Sequence, residues 1–334
     1  YLDSAASAQK PLKVIETLNK AYLETYSNVH RGLHWLSEQS TSKYEDVRIK
    51  AANFLGAADH NEIIFGSGAT QLLNLVANSW GRKFLKLDDE IIITIADHHA
   101  NIVPWQLVAQ QTGAKIKAVS VDDHGNFNIN DLEKMITEKT KLICICNPNN
   151  PTGAVLSKEM VENITAIAES VDAWIIADEV YRGAELNHEE CTSFWESGYK
   201  KTIVNCGLSK AYALPGLRLG WSLSNPDYIK QCWANHDYTS ISVGRISDLV
   251  ASHVLHPDNR MNTLNYIRKQ LAINLSLFQD WASGFENHLS FINPEAGAMA
   301  FVNYDWPINS SDLITKVRKE ASVMLVAGDW YGMD

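Results

Sequence analysis

Seven short apolar runs, separated by longer stretches of helical periodicity, constrain the fold more than any other feature of the sequence. The runs are Glu62–Phe65, Glu90–Ile95, Ile116–Val121, Leu142–Cys146, Trp174–Ala177, Thr202–Asn205 and Leu219–Leu223. Helical patterns fall between them, near 70–80, 101–112, 130–138 and 157–171, with a broken one across 183–200. Strands that are apolar on both faces and alternate with helices imply a mostly parallel sheet covered on both sides. The expected fold is therefore α/β, a three-layer αβα domain, with the turn Asp122-Asp123-His124-Gly125-Asn126 punctuating one crossover. Beyond about residue 225 the texture changes to long helical patterns, near 225–254 and 262–285, followed by strand-like pieces around Phe291, Ala298–Asn303 and Val323–Val326. That tail reads as a smaller α+β domain, which the helix near 12–26 joins. The expected division is 26–244 for the large domain, and 1–25 with 245–334 for the small one.

Composition narrows the class of partner. The 334 residues carry a formal net charge of −10 with the two signs interspersed, which argues against nucleic acid. There is no run of eighteen apolar residues to span a membrane and no visible secretory leader. The five cysteines are odd in number and lie mostly in apolar runs, so they read as reduced thiols in a cytoplasmic protein. The chain starts at Tyr1 without methionine and stops abruptly at Asp334, so both ends are expected to be trimmed.

The chemistry concentrates at the carboxyl ends of the apolar runs, where open parallel sheets place their ligands. Lys210 lies just past Thr202–Cys206, next to Ser209 and ahead of a Pro-Gly turn. A lone lysine is ordinarily a solvated charge, but here the amine is placed to form a Schiff base with an aldehyde and to move protons. Asp178 ends Ala173–Ala177; it is either a helix-capping carboxylate or the partner of a pyridine nitrogen, whose protonated form it would favour. Tyr181, three residues on, and Asn150, in Asn147–Gly153, offer a phenol and an amide to a ring oxygen, against the alternatives of aromatic packing and plain turn chemistry. Gly68, Ala69 and Thr70 follow a strand and open a helix, which suits a phosphate, although the run is neither a Walker loop nor a dinucleotide fingerprint. Arg218 would complete the phosphate cage. His98 is placed to stack on a ring. A metal is not expected at His98-His99, because adjacent histidines on a strand diverge and no acidic or cysteine ligand has suitable spacing. His30-Arg31 reads as a polar loop able to reach an active site. Aldehyde, phosphate, pyridine nitrogen and ring hydroxyl together describe pyridoxal 5′-phosphate.

On these motifs the chain resembles the fold-type-I pyridoxal-phosphate enzymes, in two branches. Up to about Asn126 it is similar to class V cysteine desulfurases, through Leu2-Asp3-Ser4-Ala5-Ala6-Ser7, Asn28–His34 and His98–Gln106. From about Asn128 it is similar to class I/II aminotransferases, through Asn147–Gly153, Asp178–Tyr181, Ser209–Gly220 and Pro294–Ala298. The seam near residue 126 is natural or engineered. In both branches the resemblance puts the pyridine-nitrogen aspartate at Asp178 and the Schiff-base lysine at Lys210. Tyr181 stands where desulfurases generally have glutamine, and Ser209 where they have histidine. Gly207 stands where many relatives have a phosphate-binding serine. With the tail from Leu325 to Asp334, these residues imply an aminotransferase acting on an amino acid and a 2-oxo acid, as a homodimer with active sites at the interface. The alternatives are a cysteine desulfurase or carbon–sulfur lyase, and a cofactor-binding module that is catalytically incomplete.

Overall fold

The structure is a computed structural model and describes residues 12–30, 32–122, 127–187, 189–236, 238–285 and 287–331. The opening Leu2–Ser7 run, Arg31, residues 123–126 of the crossover turn with its seam, and Gly332-Met333-Asp334 lie outside the described residues.

In chain order the elements are α1 (Leu12–Lys20), α2 (Trp35–Leu55), β1 (Ile63–Gly66), α3 (Ala69–Val76), the single turn α4 (Arg82–Phe84), β2 (Glu90–Thr94), α5 (Val103–Thr112), β3 (Lys115–Val119), α6 (Ile129–Met135), β4 (Thr140–Cys146), α7 (Lys158–Ser170), β5 (Trp174–Asp178), β6 (Thr202–Gly207) and β7 (Gly220–Leu223). There follow α8 (Pro226–His236), α9 (Arg245–Val254), α10 (Pro257–Ala282), β8 (Leu289–Phe291), β9 (Val302–Tyr304) and α11 (Ser310–Ala321). All seven apolar runs are strands of one sheet, ordered β1-β7-β6-β5-β4-β2-β3. β3, β2, β4, β5 and β6 run parallel, and β7 alone is antiparallel to its neighbours β6 and β1.

The period-2 alternation of the strands divides the core between the two faces. Ile143, Ile145, Ile175, Ala177 and Val204 pack on one side with Tyr44, Val47, Val161 and Ile164 of α2 and α7. Ile91, Ile93, Leu142, Cys144, Ile176 and Ile203 pack on the other, with Leu72, Leu73, Val108 and Ile229 of α3, α5 and α8. α7 shows why these segments become helices: Ser157 caps its start by accepting from the Met160 N–H, and the buried Val161, Ile164, Thr165 and Ala168 recur at helical spacing.

Four local expectations change. No helix crosses 183–200: Gly183 takes φ +102°, and the Glu185 carboxylate accepts from the N–H groups of Gly183 and Cys191, so a side chain ties this backbone and only a 3-10 turn, Phe194–Ser197, remains. The pattern across 225–254 is two helices, because the N–H groups of Thr239, Ser240 and Ile241 all turn back on the His236 carbonyl and Ile241 adopts φ +63°. Val323–Val326 forms no strand; its side chains are 47%, 80%, 47% and 62% exposed. Conversely, α2 went unread because its buried face holds Ser37, Ser40, Tyr44 and Arg48 as well as Val47, Ala51 and Ala52, which hides the stripe from an apolar count.

Candidate active site

The carboxyl ends of β2, β4, β5 and β6 open on one side of the sheet, with Cys146 in register with Asp178 and Asp178 with Asn205. Asp178 is the last residue of β5 and is 3% exposed. Its Oδ2 accepts from Asn101 Nδ2 at 3.0 Å and its Oδ1 from the Val180 N–H at 3.2 Å. Burial pushes this carboxyl above its usual range; the Asn101 bond, His98, the Val180 N–H and Lys210 pull it back without cancelling that effect.

Lys210 lies three residues past the end of β6, in a loop fixed by the Leu208 N–H on the Leu219 carbonyl and the Ala213 N–H on the Lys210 carbonyl. Its Nζ lies 6.0 Å from the centre of the Tyr181 ring. Tyr181 is buried, and its hydroxyl accepts from Asn150 Nδ2 at 3.3 Å. The Asn150 loop is itself seated on the end of β2, where Asn149 Nδ2 donates to the Ala96 carbonyl at 3.0 Å. His98 is half-buried and caps the turn after β2 by accepting from the Ala100 N–H. Burial holds its imidazole below the ordinary value, and Lys210 and His99 act in the same direction, whereas Asp178 opposes them.

A second group of residues meets at the start of α3. Gly68 takes φ +101° at the start of α3, followed by Ala69 and Thr70. A Cβ at Gly68 would stand 2.9 Å from Arg218 Nη2, so only glycine admits the guanidinium here. Arg218 is itself in the left-handed region, φ +50°, and donates to the Ser67 carbonyl at 2.9 Å, the Pro215 carbonyl at 2.9 Å and Ser209 Oγ at 3.5 Å. Gly207 has a structural reason: a Cβ there would meet Gly220 Cα and the Leu219 carbonyl at 3.0 Å, so a side chain would require the backbone opposite to give way.

Lys210, Asp178, Tyr181, Asn150 and His98 therefore come together past the ends of β2, β4, β5 and β6, while Arg218 joins Ser209 to Ser67 at the start of α3, where Gly68, Ala69 and Thr70 follow. His30 does not point at Lys210; its Nε2 lies 3.0 Å from Glu45 Oε1, on α2. Two residues escaped sequence reasoning. Asn101 carried a signal, its place three residues after His98, where one tight turn brings it under the sheet end. Asp97 carried none: its Oδ2 accepts from the Thr94 N–H at 2.8 Å, and burial pushes its carboxyl up to about 7. Pro294–Ala298 also approaches the site, since the Gly297 N–H donates to the Ala184 carbonyl at 3.0 Å and the Ala296 N–H to the Gly153 carbonyl at 3.1 Å. Among the described residues, no group of three His, Cys, Asp or Glu side chains is arranged to hold a metal ion.

The donor set fits pyridoxal 5′-phosphate. The set holds an amine acting on a buried carboxylate, an amide-phenol pair, and an arginine at a glycine-opened helix. The family model described as aminotransferase class-V matches residues 1–188. A probable cysteine desulfurase from Synechocystis sp. is 43% identical over 178 residues, 53% of this chain and 42% of its own length. A cysteine desulfurase from Pectobacterium carotovorum is 40% identical over 204 residues, 60% of this chain and 49% of its own length. The chain thus spans about half the length of these curated relatives. Among solved structures, a PLP-dependent aminotransferase from Streptococcus suis superposes with a TM-score of 0.83 at 25% identity, over 98% of this chain and 84% of its own. An aromatic aminotransferase from Pyrococcus horikoshii does so with a TM-score of 0.80 at 25% identity, over 97% and 85%.

These relatives overturn the aminotransferase reading and its 2-oxo acid partner. At 37–43% identity the curated relatives are named cysteine desulfurases. The physical reason for the error is that Tyr181, Ser209 and Arg218 were read for the cofactor they could hold, and holding a cofactor does not choose which substrate bond breaks.

Proposed function

The chain belongs to the class-V aminotransferase family, whose cofactor is pyridoxal 5′-phosphate, and from that premise we propose that it is a cysteine desulfurase, breaking the Cβ–Sγ bond of L-cysteine to leave alanine. The observation that carries the reading is the identity of 37–43% to proteins named for that reaction.

When bound, the cofactor supplies an aldehyde and a ring that withdraws negative charge from the substrate Cα. We assign Lys210 as the amine that anchors it and then takes and returns the proton at that carbon. Asp178 would keep the ring nitrogen protonated, the Asn101 and Val180 N–H donors favouring its ionised form against the push of burial. His98 would cover the ring face, while Asn150 and Tyr181 would hold the ring oxygen. Arg218, Ser209 and the backbone of Gly68, Ala69 and Thr70 would hold the phosphate. All five cysteines are buried and burial raises each thiol, so the sulfur goes to a thiol other than these.

We propose further that the protein works as a homodimer in a reducing, cytoplasmic compartment. Exposed apolar side chains near the N-terminus, Leu23 at 84%, Leu33 at 102% and Trp35 at 67%, support the first statement, and the free cysteines support the second. Among the described residues no helix is long and apolar enough to cross a membrane.

The test is a product assay. Protein saturated with pyridoxal 5′-phosphate and given L-cysteine with dithiothreitol should yield alanine and sulfide in equal amounts, and Lys210→Ala should yield neither. Cysteine left unconsumed, or consumed with its amino group passed to an added 2-oxo acid, would overturn the proposal.

A further inference from the structure

The tight turn after β2 carries a residue that neither motif nor relative assigns. Asn101 is 1% exposed, and its Nδ2 reaches Asp178 Oδ2. Its own N–H donates to the His98 carbonyl at 2.7 Å, so one turn joins the half-buried imidazole to the donor on the acid. Asp178 then has one fixed donor on each oxygen, Asn101 on Oδ2 and Val180 on Oδ1. The other end of the amide has no such match: Asn101 Oδ1 is buried with no hydrogen-bond partner among the described residues. A buried acceptor left bare costs folding free energy, and an apolar side chain would fill the same space without that cost. The donor end is therefore what the position requires.

The geometry points to Asn101 as a positioning residue for Asp178: its amide fixes the rotation of the buried carboxylate, favours the ionised form and leaves a lone pair for the cofactor ring nitrogen. The inference rests on the proposed role of Asp178. An amide suits the task because it donates at any working pH without carrying charge. The charged and titratable groups that act on Asp178 are His98 and Asp97 from the end of β2, Lys210 and Cys206 from β6 and its loop, and Cys146 from β4. Of everything opposing the upward push of burial, the Asn101 bond is the largest contributor. Its loss should leave the acid more readily neutralised, weakening its hold on a protonated ring nitrogen.

The test loads wild type, Asp178→Asn, Asn101→Ala, Asn101→Asp and Asn101→Ser with pyridoxal 5′-phosphate. It reads the cofactor dissociation constant and the pH midpoint of the bound cofactor's visible band, with thermal melting as the folding control. Asn101→Ala should weaken cofactor binding about tenfold or more, the size of a lost hydrogen bond to a charged group, and should move the midpoint. Asn101→Asp matches the native size but brings a like charge in place of a donor, so it should be worse than Asn101→Ala; a packing role would rank them the other way. Asn101→Ser, which keeps a shorter donor, should fall between wild type and alanine, and it decides the matter if the alanine protein fails to fold. Affinity and midpoint within twofold of wild type in Asn101→Ala or, failing that, in Asn101→Ser would overturn the inference. So would Asn101→Asp outperforming Asn101→Ala. If Asp178→Asn itself behaves as wild type, the assignment of Asp178 falls instead, a result distinct from failure at Asn101 alone.

Discussion

The central sheet and the C-terminal region beyond α9 are held by different means. Strands β1, β2, β6 and β7 are buried along their whole length, and helices seal both faces. By contrast, the 26-residue α10 buries only Leu264, Arg268 and Ala282, and α11 buries nothing. The C-terminal region meets the rest of the molecule through Leu264, which joins the core, and through a set of polar contacts. Arg268 Nη2 lies 3.2 Å from Glu185 Oε2 with both side chains buried, and Pro294–Gly297 is laced by backbone bonds to Gly153 and Ala184. The difference teaches where the cup gets its rigidity: from strand ends whose geometry is fixed by packing on both sides, with the C-terminal region attached at discrete points.

Four substitutions sharpen or break that contrast. Arg268→Ala leaves Glu185 buried without its partner and should cost about 3–5 kcal/mol in chemical denaturation; a loss under about 1 kcal/mol would show that the ion pair is not the attachment. Ile176→Ala opens a cavity in the central strand at a side chain that is 0% exposed, and a denaturation curve should show a loss of about 3 kcal/mol. Gly207→Ala forces a methyl against the β7 backbone at 3.0 Å; about 1–3 kcal/mol is expected, together with weaker cofactor binding by absorbance titration, and unchanged values would mean the strands part freely. Met324→Ala, at a side chain that is 80% exposed, should stay within about 0.5 kcal/mol of wild type, and a larger loss would show that this side chain is packed in the protein.

The same contrast governs what the sequence revealed. The inner strands were legible because a strand buried on both faces must be apolar throughout, β3 at the edge was legible by alternation, and the roles expected of Lys210 and Asp178 followed from their places at strand ends. Val323–Val326 satisfied that apolar rule and failed as a strand, since periodicity reports what a segment can bury and not whether a neighbour is there to cover it. α2 failed in the opposite sense: Arg48 is buried on it, giving its guanidinium to the carbonyls of His60 and Ile63, a use of charge that no apolar count detects. Asp97 left no mark in an apolar pattern because its carboxylate serves the Thr94 N–H of its own turn, and the partner of Asn101, Asp178, lies two strands away in the sheet. The reaction itself was misread because the motifs that stand out, Tyr181 and Arg218 among them, were read for a cofactor and say nothing of which substrate bond breaks.

The central claim is that the strand ends assemble one cofactor cup around Lys210. Borohydride reduction of protein loaded with pyridoxal 5′-phosphate, followed by peptide mass mapping, tests it most directly. The account predicts a single pyridoxyl group, on Lys210, at one per chain. Label on another lysine, or none at saturating cofactor, would contradict it.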